Sequence, residues 1–135
     1  ERDGYLSGHK NKRRRHVMAA PQITEDKMYR LVRDEKLVTF NKLKAQGAEI
    51  DFEGCDFRGL DLRKMDVSGI SFKNAYFRQT DLRGLDFSKC NFEGASICNA
   101  KISGSYFPQR LPAEEITLSL AHGTRMRYRR VPKSS

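Results

Sequence analysis

CDFRGLDLRKMDVSG, Cys55 to Gly69, divides into three lines of five residues: CDFRG, LDLRK and MDVSG. Each line starts with an apolar residue, continues with aspartate and centres on a second large apolar residue. This period matches neither the turn of a helix nor the alternation of a flat strand. Two inward positions separated by one outward position are strand-like, and the remaining residues must then change the chain's direction. Glycine in the last place of a line eases that change.

The register extends both ways. Its central positions are Phe52, Phe57, Leu62, Val67, Phe72, Phe77, Leu82, Phe87, Phe92, Ile97, Ile102 and Phe107, 12 in succession without a slip. Two residues earlier stand apolar or small residues, from Ile50, Cys55 and Leu60 to Ala95, Ala100 and Ser105. Between them lies a mostly polar row that includes Asp51, Asp56, Asp61, Asp66, Asp81, Asp86 and Asn91. A period this strict means a repeat architecture.

The pattern resembles the pentapeptide repeat family, whose consensus is Ala-(Asp/Asn)-Leu-x-x, over Ile50 to about Pro108. The resemblance implies an all-β solenoid, a right-handed quadrilateral β-helix. Each unit would form one side of a square, and four units one coil of about 20 residues. Twelve units then give about three coils, spanning about 14 Å at the interstrand spacing. Phe52, Phe72 and Phe92 should stack, as should Phe57, Phe77 and Ile97. The aspartate row reads as backbone support plus a solvated face rather than as a carboxylate pair or a metal site.

A stack of coils needs covered ends. Thr24-Glu25-Asp26-Lys27 is a helix-start signal with acids in the first turn. Met28, Leu31 and Val32, then Phe40 and Leu43, supply apolar stripes. The reading is an N-terminal helical cap over 24–47, helical from about Glu25 to Gln46 with a candidate break near Lys36. After Phe107, Pro112 is expected at a first helical position, Glu114 and Glu115 in the first turn and Gly123 past the end, which predicts a short C-terminal helical cap over 111–123. The remaining divisions are a basic N-terminal arm, 1–23, the repeat domain, 50–108, and a basic tail, 124–135. MAAPQITEDK from Met18 resembles an ordinary translation start, so residues 1–17 read as upstream or appended sequence.

Charge follows these divisions. Residues 1–49 hold 12 Lys/Arg and 7 Asp/Glu, residues 50–107 hold 8 of each, and residues 108–135 hold 6 and 2, so the net +9 belongs to the ends. HKNKRRRH offers Lys10, Lys12, Arg13, Arg14 and Arg15, and RMRYRR offers Arg125, Arg127, Tyr128, Arg129 and Arg130, as candidate nucleic-acid or anion contacts. Solvated tails are the competing reading. No apolar run is long enough for a membrane span and no signal peptide is visible, which predicts a cytoplasmic protein. Three cysteines without Cys-x-x-Cys spacing argue against disulfides or a zinc site and for a reducing compartment. Cys55 and Cys90 fall on inward positions and Cys98 on an outward one. His9, His16 and His122 lie near no candidate nucleophile, and no phosphate-binding glycine loop is present.

The expectation is therefore a non-enzymatic bacterial binding or scaffold protein, without catalytic residue, metal or cofactor. One face should carry Arg58 and Arg78 beside Tyr76. The next should carry Asp61 and Asp81 beside Arg63, Arg83 and Lys64. These partner-binding candidates suit a protein partner. Nucleic acid through the basic arms and homo-oligomerisation through an end cap are further expectations. The alternative implied by the resemblance is a DNA-mimicking modulator or protector of DNA gyrase or topoisomerase IV. The match is poor, because residues 50–107 carry no net negative charge.

Overall fold

The computed structural model of the chain describes residues 20–130. Lys10, Lys12, Arg13, Arg14, Arg15, His9 and His16 lie outside the described residues. Within them are three helices, α1 (Lys27–Arg33), α2 (Leu37–Ala45) and α3 (Ala113–His122). The repeat lies between α2 and α3.

Successive 20-residue segments of the repeat lie over one another. Parallel bridges join Asp56 to Tyr76, Asp61 to Asp81, Ser71 to Asn91, Tyr76 to Ser96, Asp81 to Lys101 and Asp86 to Tyr106. Tyr76, for example, donates to Cys55 O at 2.9 Å and accepts from Phe57 N at 2.8 Å. Each bridge is isolated, and no continuous strand forms among the described residues. The reason is the shortness of each side. The first residue of a unit donates back to the central residue of the unit before, as in Ala75 N to Phe72 O at 2.9 Å, and that turn consumes the rest of the unit. Most corners place their third residue at positive φ, as type II turns require. Corners at Lys64 and Lys89 close without it.

Central positions Phe52 through Ile97 are buried. Phe57 lies parallel to Phe77, with centroids 5.3 Å apart, and Phe77 to Phe92 at 5.5 Å. Ile102 and Phe107 are only half-buried, because the sides that carry them end the stack.

Helix α1 and helix α2 are separate, with the break at the candidate position near Lys36, and α1 starts at Lys27 rather than Glu25. Asp34 caps α1, Glu35 stands at φ 56°, and α2 restarts after Lys36. Asp26, not Thr24, is the N-cap: its carboxylate accepts from Tyr29 N at 3.0 Å, and no acid occupies the first turn. Residues 22–41 cover the first 20-residue segment of the repeat, supplying hydrogen-bond partners group by group. Gln22 bridges Cys55, donating to Gly54 O and accepting from Asp56 N, both at 2.9 Å. The Glu35 carboxylate accepts from Asp61 N at 2.8 Å. The Asn41 amide accepts from Asp66 N at 2.8 Å and donates to Lys64 O at 2.9 Å. The hydroxyl of Tyr29 donates to Asp56 O at 2.6 Å. Tyr29 and Phe40 also lay their rings against Phe52.

At the other end, Pro112 stands one residue earlier than expected, as the N-cap of α3 with ψ 149°, and Gly123 ends the helix at φ 73°. Ser119 Oγ accepts from Ile97 N and Leu120 O from Asn99 N. The segment after α3 is not a free tail as far as Arg130. Gly94 N donates to Met126 O at 2.7 Å, and Met126 N donates to Ala95 O at 2.8 Å. Tyr128 OH accepts from Phe92 N and Tyr128 N donates to Glu93 Oε1. The partners fall in number as the segment advances, so it runs antiparallel to the last coil. Two coil residues face Met126 with Gly94 at φ 79°, which is the form of a glycine-first bulge.

Candidate interaction surface

The outward aspartates hold their own corners. Asp56, Asp61, Asp66, Asp81 and Asp86 each accept from the backbone N–H two residues on. Where that residue is arginine, its side chain lies on the same outward side and takes the rest of the carboxylate. Arg58 Nη2 is 2.7 Å from Asp56 Oδ2, Arg63 Nη2 2.7 Å from Asp61 Oδ2 and Arg83 Nη2 2.7 Å from Asp81 Oδ2. Arg63 Nε also reaches Asp81 Oδ2 at 3.4 Å, linking the two coils. The Arg63 hydrogen bonds hold the Asp61 carboxyl down at about 2. The bonds from Arg83 likewise lower Asp81, and both guanidiniums are raised in return.

The face expected to carry Asp61, Asp81, Arg63, Arg83 and Lys64 is therefore assembled, with its two aspartates and two arginines paired with one another. Its arginines stay about half exposed, 48% for Arg63 and 42% for Arg83. Beside it runs a groove of about 600 Å³ lined by Glu35, Leu37, Val38, Asp61, Arg63 and Lys64. Val38 is 82% exposed. Sequence reading missed Glu35 and Val38. The visible signal for Val38 was its place outside the apolar stripe that buries Leu37 and Phe40.

The other expected face is divided. Arg58 and Arg78 are exposed, but Tyr76 is half-buried and is covered by the chain itself. Arg125 lies over the Tyr76 ring at 5.3 Å, donates to its hydroxyl and reaches Asn74 Oδ1 at 3.2 Å. Arg127 sits 3.6 Å from Glu93 Oε2, while Arg110 lies over the Tyr128 ring at 5.5 Å. Of the basic group 125–130, then, Arg125, Arg127 and Tyr128 are engaged within the molecule, and Arg129 and Arg130 are exposed. The signal for this docking was present in the sequence: Met126 and Tyr128 alternate with Arg125, Arg127 and Arg129, a strand pattern.

Cys55 and Cys90 are buried and Cys98 is half-buried, all three unbridged, and burial pushes the Cys90 thiol up to about 11. Among the described residues no helix is long and apolar enough to cross a membrane, and no group of three or more His, Cys, Asp or Glu residues is placed to hold a metal ion.

A family model for pentapeptide repeats matches residues 68–104, in eight copies. Residues 68–104 are thus similar to the repeats of that family. The pentapeptide register continues upstream of the matched residues, where Leu60 and Met65 stand at the position that is alanine in the consensus and where the same 20-residue bridges hold. Curated proteins and solved structures give no match. Pentapeptide repeat proteins are generally non-enzymatic structural or binding proteins, which directs attention to surfaces rather than to catalytic groups.

Proposed function

We propose that the repeats wind as a right-handed quadrilateral β-helix of about three coils, and that this prism is a docking module for a protein partner. The winding reading is supported by the constant 20-residue offset of the bridges within the repeat. The docking reading is carried by one observation: the Asp61–Arg63 and Asp81–Arg83 pairs are cross-linked into a fixed ladder alongside the 82% exposed Val38. Side chains already ordered in the free protein lose little conformational freedom on binding. A mixed-sign ladder with an apolar residue at its margin fits a protein surface of complementary charge pattern. The paired arginines also interrupt any column of bare carboxylates, so this face favours a protein partner over the imitation of duplex DNA.

The test is affinity capture from the native host with the intact chain, comparing wild type, Val38→Glu and Arg63→Glu/Arg83→Glu. The expected result is a protein captured by wild type and lost from both variants, at melting temperatures that show them folded. Equal capture by folded variants overturns the choice of face.

A further inference from the structure

On the adjoining face, Arg33, Arg58 and Arg78 line one open groove of about 350 Å³, together with Ile23, Asp56, Gly59 and Gln79. Arg33 comes from α1 and the other two from successive coils. Arg33 Nη1 is held at the lip by Asp56 O at 3.3 Å and Arg58 O at 3.4 Å. Asp56 is the single carboxylate of the groove. Its side chain is 2% exposed, and both its oxygens are taken by Arg58 Nε, at 2.9 and 2.8 Å. Arg78 has no carboxylate partner among the described residues; its Nη1 makes only a 3.9 Å contact with Cys98 Sγ. Three cations against one buried anion leave the groove two positive charges in excess.

A second observation marks the same place. Gln79 stands at φ 58°, whereas every other corner of the repeat at positive φ is glycine or asparagine. A long side chain is held in a backbone conformation that disfavours it, at the edge of the groove and exposed. Strain of this kind gathers at binding positions. Its amide is a neutral donor next to the guanidinium forks. The exposed Ile23, 58% accessible, forms an apolar wall beside them.

The geometry points to a binding site for a phosphorylated side chain of a partner protein, with Arg33, Arg58 and Arg78 on the phosphate, Gln79 as an added donor and Ile23 against a neighbouring apolar residue. A phosphate monoester carries about −1.5 to −2 at neutral pH, matching the excess charge of the groove. A carboxylate or a phosphodiester carries only about one charge and leaves one guanidinium uncompensated. Arginine forks also fit phosphate oxygens two at a time. The groove is confined to one corner of the fold rather than drawn into a stripe, which suits one phosphate group rather than a nucleic-acid backbone. The inference uses a different face from the ladder, so each reading fails separately.

The probe is a fluorescein-labelled peptide with phosphoserine followed by isoleucine, compared with the same peptide bearing serine or glutamate, by anisotropy on the full chain at about 150 mM salt. The phosphopeptide should bind at least about tenfold more tightly than either control. Arg78→Gln, which removes no bond within the fold beyond the Cys98 contact, should abolish that margin at unchanged melting temperature. Lys64→Gln, on the ladder face, should leave it intact. Gln79→Gly should weaken phosphopeptide binding while raising the melting temperature, a combination that a merely structural glutamine would not give. Equal affinity for phosphoserine and glutamate peptides, indifference to Arg78→Gln, or displacement of the phosphopeptide by duplex DNA at comparable concentration overturns the assignment.

Discussion

Gly59 and Gly94 hold equivalent corners of the repeat at φ 73° and 79°, yet a methyl group would test them differently. At Gly59 an added Cβ meets nothing within 4 Å, so Gly59→Ala should cost only the backbone term, about 1 to 2 kcal/mol. At Gly94 the same atom would lie 2.0 Å from Asn74 Oδ1, which is itself bound by Arg125. Gly94→Ala should therefore cost more than Gly59→Ala and should loosen the segment around Met126. Denaturant melts of both variants, with amide exchange read at Met126, check the order. Glycine at a fixed place in the five-residue line made these corners legible in advance. Asn74 and Asn99 follow the same chemistry, since asparagine tolerates positive φ. The clash at Gly94 was not legible, because the residue that holds Asn74 in place, Arg125, arrives from 51 residues away. Within the core the expected stack of Phe57 on Phe77 is present, but Phe72 meets Phe92 edge-on, and Phe77, fully buried, is the ring that lies parallel to Phe92. Phe77→Ala should destabilise the chain by about 3 to 5 kcal/mol in the same melts.

The helical segment supplies hydrogen-bond partners to the first 20-residue segment of the repeat, and this explains which of its residues matter. A helix cannot present a strand edge to the first coil, so side chains must supply the acceptors and donors. Tyr29, Glu35 and Asn41 do so from α1, the break and α2 respectively. Burial pushes the Tyr29 phenol up to about 12, so it remains a donor across ordinary pH. Tyr29→Phe keeps the ring contacts with Phe52 and Phe57 and deletes only the hydroxyl. It should cost about 0.5 to 1.5 kcal/mol, because Arg33 still serves Asp56 O. Asn41→Ala removes both bonds at the first coil's edge and should increase exchange of the Asp66 amide while leaving Phe77 protected. Equal exchange at both amides would mean that the cap and the repeat unfold as one unit. The existence of the helical caps could be read from apolar spacing and from the glycine after α3. The identities of the edge-matching side chains could not. They depend on which polar residue of a helix faces which unpaired amide, and the five-residue register says nothing about that.

At the scale of the whole molecule, charge is sorted into local pairs rather than spread. Asp61, Asp66, Asp81 and Asp86 are all held below the ordinary carboxylate range: Asp61 and Asp81 by the arginines two residues on, Asp66 and Asp86 by Ser68 and Ser88. The neutral total of residues 50–107 made balance visible in the sequence, but not the pairing. That comes from an aspartate and the arginine two residues on sharing one outward side of a short extended segment. The consequence for acid is directional. A carboxyl whose folded value lies below its unfolded value of about 3.9 contributes stability above that pH and loses it as pH falls toward the folded value. For Asp61 that window runs down to about 2. The pairs lie at the surface, so each should contribute little and should weaken with salt. The melting temperature of the wild-type chain should therefore fall between about pH 4 and pH 2, by less at high ionic strength. Asp61→Asn/Asp81→Asn keeps a side-chain acceptor at each corner but removes the titration. That variant should melt lower than wild type at pH 7 and lose less on acidification, so that the two curves converge near pH 2. Parallel curves would move the acid sensitivity away from the ladder.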